Sequence, residues 1–167
     1  AIVITEDSNS GYQFFRSVCT ESGIDCKSAR GKSNIFKLLL DGKKQEVLVI
    51  ADGAAFGSQM ERIMDLVAIQ PNFHVYLPES FEWLILQSGL LEDGEINDIL
   101  ESPEKYVDSL QYFSWERFFT ALLTQRTSNS YLSYTKSKLN PVYLQEQEKD
   151  AILSVIPKVQ FKNEENL

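Results

Sequence analysis

The chain has 167 residues, of which 24 are acidic and 16 are basic, and its formal net charge is −8. This length predicts a single domain with an appendage, since about 100–200 residues per domain is usual. A hydrophobic content of 43% is sufficient to build a core. The sequence has no apolar run of about 18 residues, which excludes a membrane-spanning helix. We therefore expect no membrane partner and no signal peptide.

The negative charge is concentrated in the middle third of the chain. Residues 51–100 hold nine acidic side chains against Arg62 alone, whereas residues 1–50 have a net charge of +1 and residues 101–167 of −1. A uniformly acidic surface would argue against a nucleic-acid partner, because phosphate binding relies on Lys and Arg. A concentrated group of carboxylates can instead bind a divalent cation, since hard cations prefer oxygen ligands. The alternative is a solvated acidic surface.

Cys19 and Cys26 are the two cysteines, and they stand seven positions apart. This spacing contains no C-x-x-C motif, which excludes a zinc ribbon and a disulfide scaffold. We expect a cytoplasmic protein in which both cysteines are small packing residues.

Strands and helices alternate four times in the first 90 residues. The strands are predicted at 2–4, 24–26, 47–51 and 73–77, and the helices at 12–19, 32–40, 57–69 and 78–86. The run at 47–51 is continuously apolar, as a strand buried on both faces should be. This alternation predicts an α/β three-layer sandwich with a mostly parallel four-stranded sheet over residues 1–90.

Residues 91–167 show helical patterns instead of alternating strands and helices, and they predict a helical C-terminal extension packed on the first domain. A turn is expected at 92–94, helices at 103–110, 115–125 and 141–156, and a loop at 127–140. The helix at 115–125 has an aromatic and aliphatic stripe, which we interpret as core packing. Its members are Trp115, Phe118, Phe119, Leu122 and Leu123.

Acidic residues follow the strands at the edge where a parallel sheet binds ligands. Glu6 and Asp7 end the first strand, and Asp52 ends the third. Convergent carboxylates can bind Mg²⁺ or Mn²⁺, and without a cation they would repel one another and raise their pKa values. The same acids could instead cap neighbouring helix N-termini.

Three short segments carry a family resemblance, namely Ile2-Val3-Ile4-Thr5-Glu6, Arg30-Gly31-Lys32-Ser33-Asn34-Ile35 and Ala51-Asp52-Gly53-Ala54-Ala55-Phe56-Gly57. Together they resemble the Toprim domain of topoisomerases, primases and related nucleases. In that family a glutamate ends the first strand, a glycine-bearing turn follows the second, and an Asp-x-Asp pair ends the third. Matched by position, Glu6 corresponds to the glutamate, Asp52 to the first aspartate and Gly57 to the glycine that commonly follows. The resemblance covers residues 1 to about 90.

The chain departs from the Toprim pattern at two positions. Ala54 stands in place of the second aspartate, and Asp7 in place of the glycine that commonly follows the glutamate. If the family chemistry is retained, Asp7, Glu79 or Glu82 must supply the missing carboxylate. Residues 78–82 also resemble the acidic stretch after the fourth strand in Toprim domains of the overcoming-lysogenization-defect nucleases.

The resemblance implies metal-dependent phosphoryl transfer on DNA or RNA. Glu6 would act as general acid and base or as a metal ligand, and Asp52 would be a metal ligand, with Asp7 and Glu82 as further candidates. The cation would be Mg²⁺ or Mn²⁺. Lys32 would contact phosphate, and Arg30 on the same turn is a second candidate for that contact.

Two other classes of function stay open from the sequence. A Toprim-like fold without catalysis could bind nucleic acid or dock a protein partner or a second copy through the helices of 103–156. A response-regulator receiver would use Asp52 as its phosphorylated residue, but it needs a lysine after a fifth strand, and none is predicted.

His74, the only histidine, is expected to be a packed strand residue rather than a base.

Overall fold

Four parallel strands form one sheet in the computed structural model, which describes residues 1–6, 8–30, 34–35, 37, 45–52, 60–106 and 115–157. The strands are β1 (Ile2–Thr5), β2 (Asp25–Ser28), β3 (Val47–Ile50) and β4 (Phe73–Tyr76). Their order across the sheet is β2-β1-β3-β4, and every pairing is parallel. The predicted α/β fold, consistent with a three-layer sandwich, is confirmed.

Six α-helices lie in the described part of the chain. They are α1 (Ser10–Glu21), α2 (Met60–Ile69), α3 (Phe81–Gln87), α4 (Gly94–Glu101), α5 (Trp115–Thr127) and α6 (Glu146–Leu153). Short 3₁₀ helices are formed by Pro103–Lys105 and Pro141–Leu144. The predicted helix at 32–40 falls mostly outside the described residues, where positions 34, 35 and 37 have helical backbone.

Three sequence predictions for the C-terminal half are wrong in detail. Of the turn expected at 92–94, Gly94 is already the first residue of α4, because the Asp93 side chain caps that helix by accepting from the Glu95 N–H at 3.1 Å. The single helix expected at 141–156 is a 3₁₀ turn followed by α6. Only the 3₁₀ turn Pro103–Lys105 forms at the start of the helix expected at 103–110, and residues 107–110 lie outside the described residues.

The sheet separates two apolar layers, because side chains alternate along each buried strand. Val3 and Leu48 face one layer, and Ile4 and Val49 face the other. The second layer includes Ile63 of α2. Met64 of the same helix is 50% exposed and lies outside this layer.

The layer on the Val3 side is shared by both halves of the chain. It contains Phe14 of α1 and Leu84 of α3 together with Leu123 of α5 and Ile152 of α6. Four members of the α5 stripe are buried there, as the core-packing interpretation expects, while Trp115 is 43% exposed. The C-terminal helices therefore build the same core as α1 and α3.

Two further features of the described residues bear on the sequence predictions. His74 lies on β4, is partly buried, and has its Nε2 atom 2.7 Å from Glu46 Oε2. None of the described helices combines the length and the apolar character that crossing a membrane requires.

Candidate acidic site

Glu6 and Asp52 lie side by side at the carboxyl edge of the sheet. The last residues of β1 and β3, Thr5 and Ile50, are paired, and the chain continues from them to Glu6 and Asp52. Both side chains line one pocket, and Glu82 from the first turn of α3 lines it too. The parallel pairing thus brings together three of the carboxylates that the sequence indicated.

The pocket also receives residues from the helices on that face of the sheet. Its cavity of about 40 Å³ has room for about three water-sized groups. Aromatic rings form part of the wall, and Glu116 and Lys136 come from the C-terminal half. The ring residues are Tyr12, Phe15, Phe81 and Tyr134.

Glu82 is the most deeply buried carboxyl of the pocket, with 3% of its surface exposed. Ser80 starts α3 by accepting from the Trp83 N–H at 3.0 Å, which fixes Glu82 on the inward side of the first turn. Both carboxyl oxygens have protein donors: Thr120 Oγ1 lies 2.6 Å from Oε1 and the Tyr134 hydroxyl 3.0 Å from Oε2. Burial raises the pKa of Glu82, although these hydrogen bonds and the charge of Lys136 act in the opposite direction.

Asp52 retains its proton over most of the pH range. Burial, followed by the charge and hydrogen bond of Glu116 and the charges of Glu82 and Glu6, raises the pKa of Asp52 to about 9. The repulsion that the sequence predicted within a cation-free cluster is thus one of the causes, after desolvation. At neutral pH the Asp52 carboxyl is a hydrogen-bond donor next to Glu116.

Lys136 supplies the positive charge of the pocket. Its Nζ atom donates to Glu116 Oε1 at 2.6 Å. Burial acts to lower the pKa of Lys136, but the hydrogen bond and charge of Glu116, with the charges of Glu82 and Asp52, outweigh it and the pKa is raised. Lys136 therefore stays protonated at neutral pH.

The segment that carries Lys136 is held by the first turns of α1. The Ser10 N–H donates to the Lys136 carbonyl at 2.8 Å, and the Ser10 hydroxyl donates to the Thr135 carbonyl at 2.7 Å. The Gln13 side chain donates to the Ser137 carbonyl and accepts from the Leu139 N–H. These bonds fix the loop over the carboxyl edge of the sheet.

Sequence reasoning did not find Glu116 or Lys136. Glu116 follows Trp115 in α5, where the pattern indicates only an aromatic stripe that packs in the core. Lys136 lies in a stretch rich in Ser, Thr and Lys that predicts only a loop. No local pattern indicates that either faces Asp52, because their position depends on how α5 and the loop pack against α1 and α3.

The other predicted site residues do not join this pocket in the described structure. Asp7 and Lys32 lie outside the described residues. Arg30 is exposed beyond the end of β2, with a φ of 56° in the left-handed region, and it does not line the pocket. Glu79 is exposed as well, so Glu82 is the candidate of the 78–82 segment that reaches Asp52.

The fit of a metal ion can be judged from these contacts. Four carboxyl groups are the donor chemistry that Mg²⁺ and Mn²⁺ prefer. Within the described ranges, however, no group of three or more His, Cys, Asp or Glu side chains is arranged so that it could hold a metal ion. Thr120 and Tyr134 already donate hydrogen bonds to the two carboxyl oxygens of Glu82, and Lys136 pairs with Glu116. The donor set suits a hard cation, whereas its present arrangement does not enclose one.

The fold and the pocket together define a class of protein: an α/β protein with an acidic pocket at the carboxyl edge of a parallel sheet. Comparison of the chain with protein-family models, curated proteins and solved structures found no match. The Toprim resemblance rests on the short motifs alone. For the receiver alternative, the described residues contain four strands and no fifth that could place a lysine beside Asp52.

Proposed function

We propose that the chain is a Toprim-like domain whose acidic pocket supports metal-dependent phosphoryl transfer on DNA or RNA in the cytoplasm. The observation that carries the proposal is the meeting of Glu6, Asp52 and Glu82 in one pocket. The three come from different segments of the sequence: Glu6 and Asp52 follow the paired strands β1 and β3, and Glu82 lies in the first turn of α3. A replacement for the missing second aspartate must lie near Glu6 and Asp52, and Glu82 lines the same pocket.

The electrostatics of the pocket also support a cationic ligand. Asp52 keeps a proton because burial and the charges of three neighbouring carboxyls disfavour its ionised form. A nearby cation favours ionised carboxylates, so cation binding would be coupled to proton release from Asp52. After a rearrangement that frees Glu82 from Thr120 and Tyr134, Glu6, Asp52 and Glu82 would hold Mg²⁺ or Mn²⁺, which when bound stabilises charge on phosphate oxygens.

The chain's own residues would take the remaining roles. Glu6 is partly exposed at the pocket and can exchange a proton with an attacking or leaving oxygen. Lys136 remains an ammonium group and can contact a phosphate oxygen once it leaves Glu116. The small cavity would receive a phosphate group, with the rest of the nucleic acid lying outside it.

Metal titration tests this proposal. Isothermal titration with Mg²⁺ and with Mn²⁺ is expected to show binding to the wild type and loss of binding in Glu6→Gln and Asp52→Asn. Glu79→Gln is the matched control, since Glu79 is exposed and does not line the pocket. Cleavage of end-labelled DNA and RNA should require Mn²⁺ or Mg²⁺ and the same two carboxylates. No binding at millimolar metal would contradict the catalytic proposal.

A specific observation favours a second candidate, a Toprim-like module that binds without catalysis. Glu82 accepts from Thr120 and Tyr134, and Lys136 pairs with Glu116, so these carboxyls have protein partners of their own. Such a module would bind DNA or RNA, or dock a protein through the helices of 103–156, whose exposed rings include Trp115.

Metal-free binding distinguishes the two candidates. For the non-catalytic module, fluorescence anisotropy in EDTA should detect binding of labelled DNA or RNA without cleavage, or sedimentation should detect self-association. A monomer that binds nucleic acid only with Mg²⁺ or Mn²⁺, and cleaves it, would contradict this candidate.

A further inference from the structure

Cys19 and Cys26 face each other although they belong to different elements. Cys19 is in the last turn of α1, and Cys26 is the second residue of β2. Gly23, with a φ of +72°, takes the left-handed conformation that ends the helix and reverses the chain. The Ile24 N–H then donates to the Cys19 carbonyl at 2.8 Å, which draws the start of β2 against the helix end.

The two thiols are in direct contact. The side chains of Cys19 and Cys26 are joined by a hydrogen bond, and neither sulfur is in a disulfide. Cys19 is only 2% exposed, in the apolar layer that α1 shares with α3, and the partly buried Cys26 packs against the same layer. A disulfide requires the sulfurs to close to about 2.05 Å with the two Cβ atoms about 3.8 Å apart. The side-chain hydrogen bond brings the two sulfurs together, which is the first requirement for this geometry.

We propose that Cys19 and Cys26 form a reversible disulfide, with a small-molecule disulfide such as oxidised glutathione as the oxidant. The bond would tie the carboxyl end of α1 to β2. The first turns of the same helix hold the loop that carries Lys136, through Ser10. Oxidation would therefore restrain the helix on which one wall of the acidic pocket is built. This inference does not depend on the chemistry of that pocket.

The exchange balances in two steps. The Cys26 thiol loses its proton and its sulfur attacks one sulfur of oxidised glutathione, which forms a mixed disulfide and releases one glutathione thiolate. Cys19 then loses its proton and attacks the Cys26 sulfur, which forms the protein disulfide and releases the second glutathione thiolate. The two released thiolates take up the two protons. The protein thus gives up two electrons, and one glutathione disulfide becomes two glutathione molecules.

Cys26 is the thiol that a small molecule meets first, since it is the more exposed of the two. The hydrogen bond with Cys19, followed by burial, raises the pKa of Cys26, and the charge of Arg16 acts in the opposite direction. Because the thiolate is the nucleophile, this pair reacts slowly near neutral pH. The test therefore uses long incubation with an excess of oxidised glutathione.

Intact mass and peptide mapping of the full chain test the proposal. After incubation with oxidised glutathione, the wild type is expected to lose the mass of two hydrogen atoms and to recover it in dithiothreitol. Cleavage after Glu21 should leave the Cys19 and Cys26 peptides joined until reduction. The thermal unfolding midpoint should be higher in the oxidised form, since the cross-link restricts the unfolded chain.

Single serine variants provide the matched controls. Cys19→Ser should retain one glutathionyl group on Cys26, because no second thiol can displace it. Cys26→Ser should keep its mass, because Cys19 is buried. A wild type that remains fully reduced, that retains glutathione on Cys26, or that links to a second chain instead would overturn the proposal. If either variant fails to fold, the mass and peptide map of the wild type decide by themselves.

Discussion

Lys136 donates from Nζ to Glu116 Oε1 across 2.6 Å, which places the Lys136 ammonium group at the acidic edge of the sheet. Glu116 in turn is hydrogen-bonded to Asp52, which follows β3. The pocket is therefore shared between the α/β part of the chain and its helical continuation. Its charge balance depends on residues more than 60 positions apart in the sequence.

The protonation of Asp52 predicts how stability depends on pH. The native state keeps this proton up to a pKa of about 9, whereas the unfolded chain releases it near the ordinary value of 3.8. Between these values the unfolded state binds fewer protons, so this group makes the free energy of unfolding fall as pH rises. The slope from one group is at most about 1.4 kcal/mol per pH unit.

Asp52→Asn removes this pH-dependent term. Urea unfolding in metal-free buffer at several pH values between about 5 and 8 should show the wild type losing stability relative to the variant as pH rises. Asp65→Asn is the control, because Asp65 is exposed on α2 and should leave the pH profile unchanged. Parallel profiles for the wild type and Asp52→Asn would show that Asp52 is ionised in the native state.

Tyr134→Phe tests the hydrogen bond that holds Glu82. The Tyr134 hydroxyl is buried and donates to Glu82 Oε2, so its removal leaves a buried carboxyl oxygen with one donor fewer. We expect a loss of about 1–3 kcal/mol in the free energy of unfolding. Tyr131→Phe is the matched control, since Tyr131 is 64% exposed and should change stability by less than about 0.5 kcal/mol. Equal effects of the two variants would contradict this role.

Gly11→Ala tests the close approach of α1 to α3. A Cβ atom at Gly11 would lie 3.1 Å from Phe81 Cβ and 3.2 Å from Phe81 Cγ, so Phe81 would have to shift by a few tenths of an ångström within a packed core. Overpacking costs about 1–3 kcal/mol and exceeds the gain of about 1 kcal/mol in helix propensity. Thermal unfolding should show a lower midpoint.

Gly94→Ala provides the comparison for Gly11→Ala. Gly94 is the first residue of α4, and no heavy atom of the described chain lies within 4 Å of the position of its Cβ. This variant should be neutral or slightly stabilising. If both alanine variants are neutral, the contact between Gly11 and Phe81 is not tight in solution.

Leu123→Ala tests whether the C-terminal helices belong to the main core. Leu123 of α5 is fully buried in the apolar layer that also contains Val3 and Leu84. Its truncation should cost about 2–5 kcal/mol and keep one cooperative urea transition. The control is Met64→Ala at an exposed position of α2. Two separate transitions would mean that residues 91–167 form their own folding unit.

The sheet could be predicted from the sequence because its signals are local. β1, β3 and β4 are short, largely apolar runs, and helices between the strands require parallel pairing. β2 is a polar edge strand, and the strand expected at 24–26 is found at Asp25–Ser28. Glu6 and Asp52 could be placed together for the same reason, since both directly follow strands. Glu82 was one of several candidates, and only the packing of α3 separates it from the exposed Glu79.

The rest of the site depends on long-range packing. The orientation of Glu116 depends on how α5 lies against α3, and the position of Lys136 depends on backbone bonds to Ser10 of α1. Neither relationship leaves a periodicity or a motif in the sequence. Asp93 and Gly94 favour turns as well as helix starts, so the sequence does not show that α4 begins at Gly94.

The bond from the Ser10 hydroxyl to the Thr135 carbonyl closes a loop of 125 residues, and this has a consequence for the order in which the chain folds. Contacts between distant residues form late, because the entropy of closing the loop must be overcome before they contribute. On the ribosome, all four strands emerge well before the segment that covers their carboxyl edge. A nascent chain arrested before residue 136 would expose its acidic edge and part of an apolar layer. The acidic pocket is therefore completed only after the segment of Thr135 and Lys136 has been synthesised.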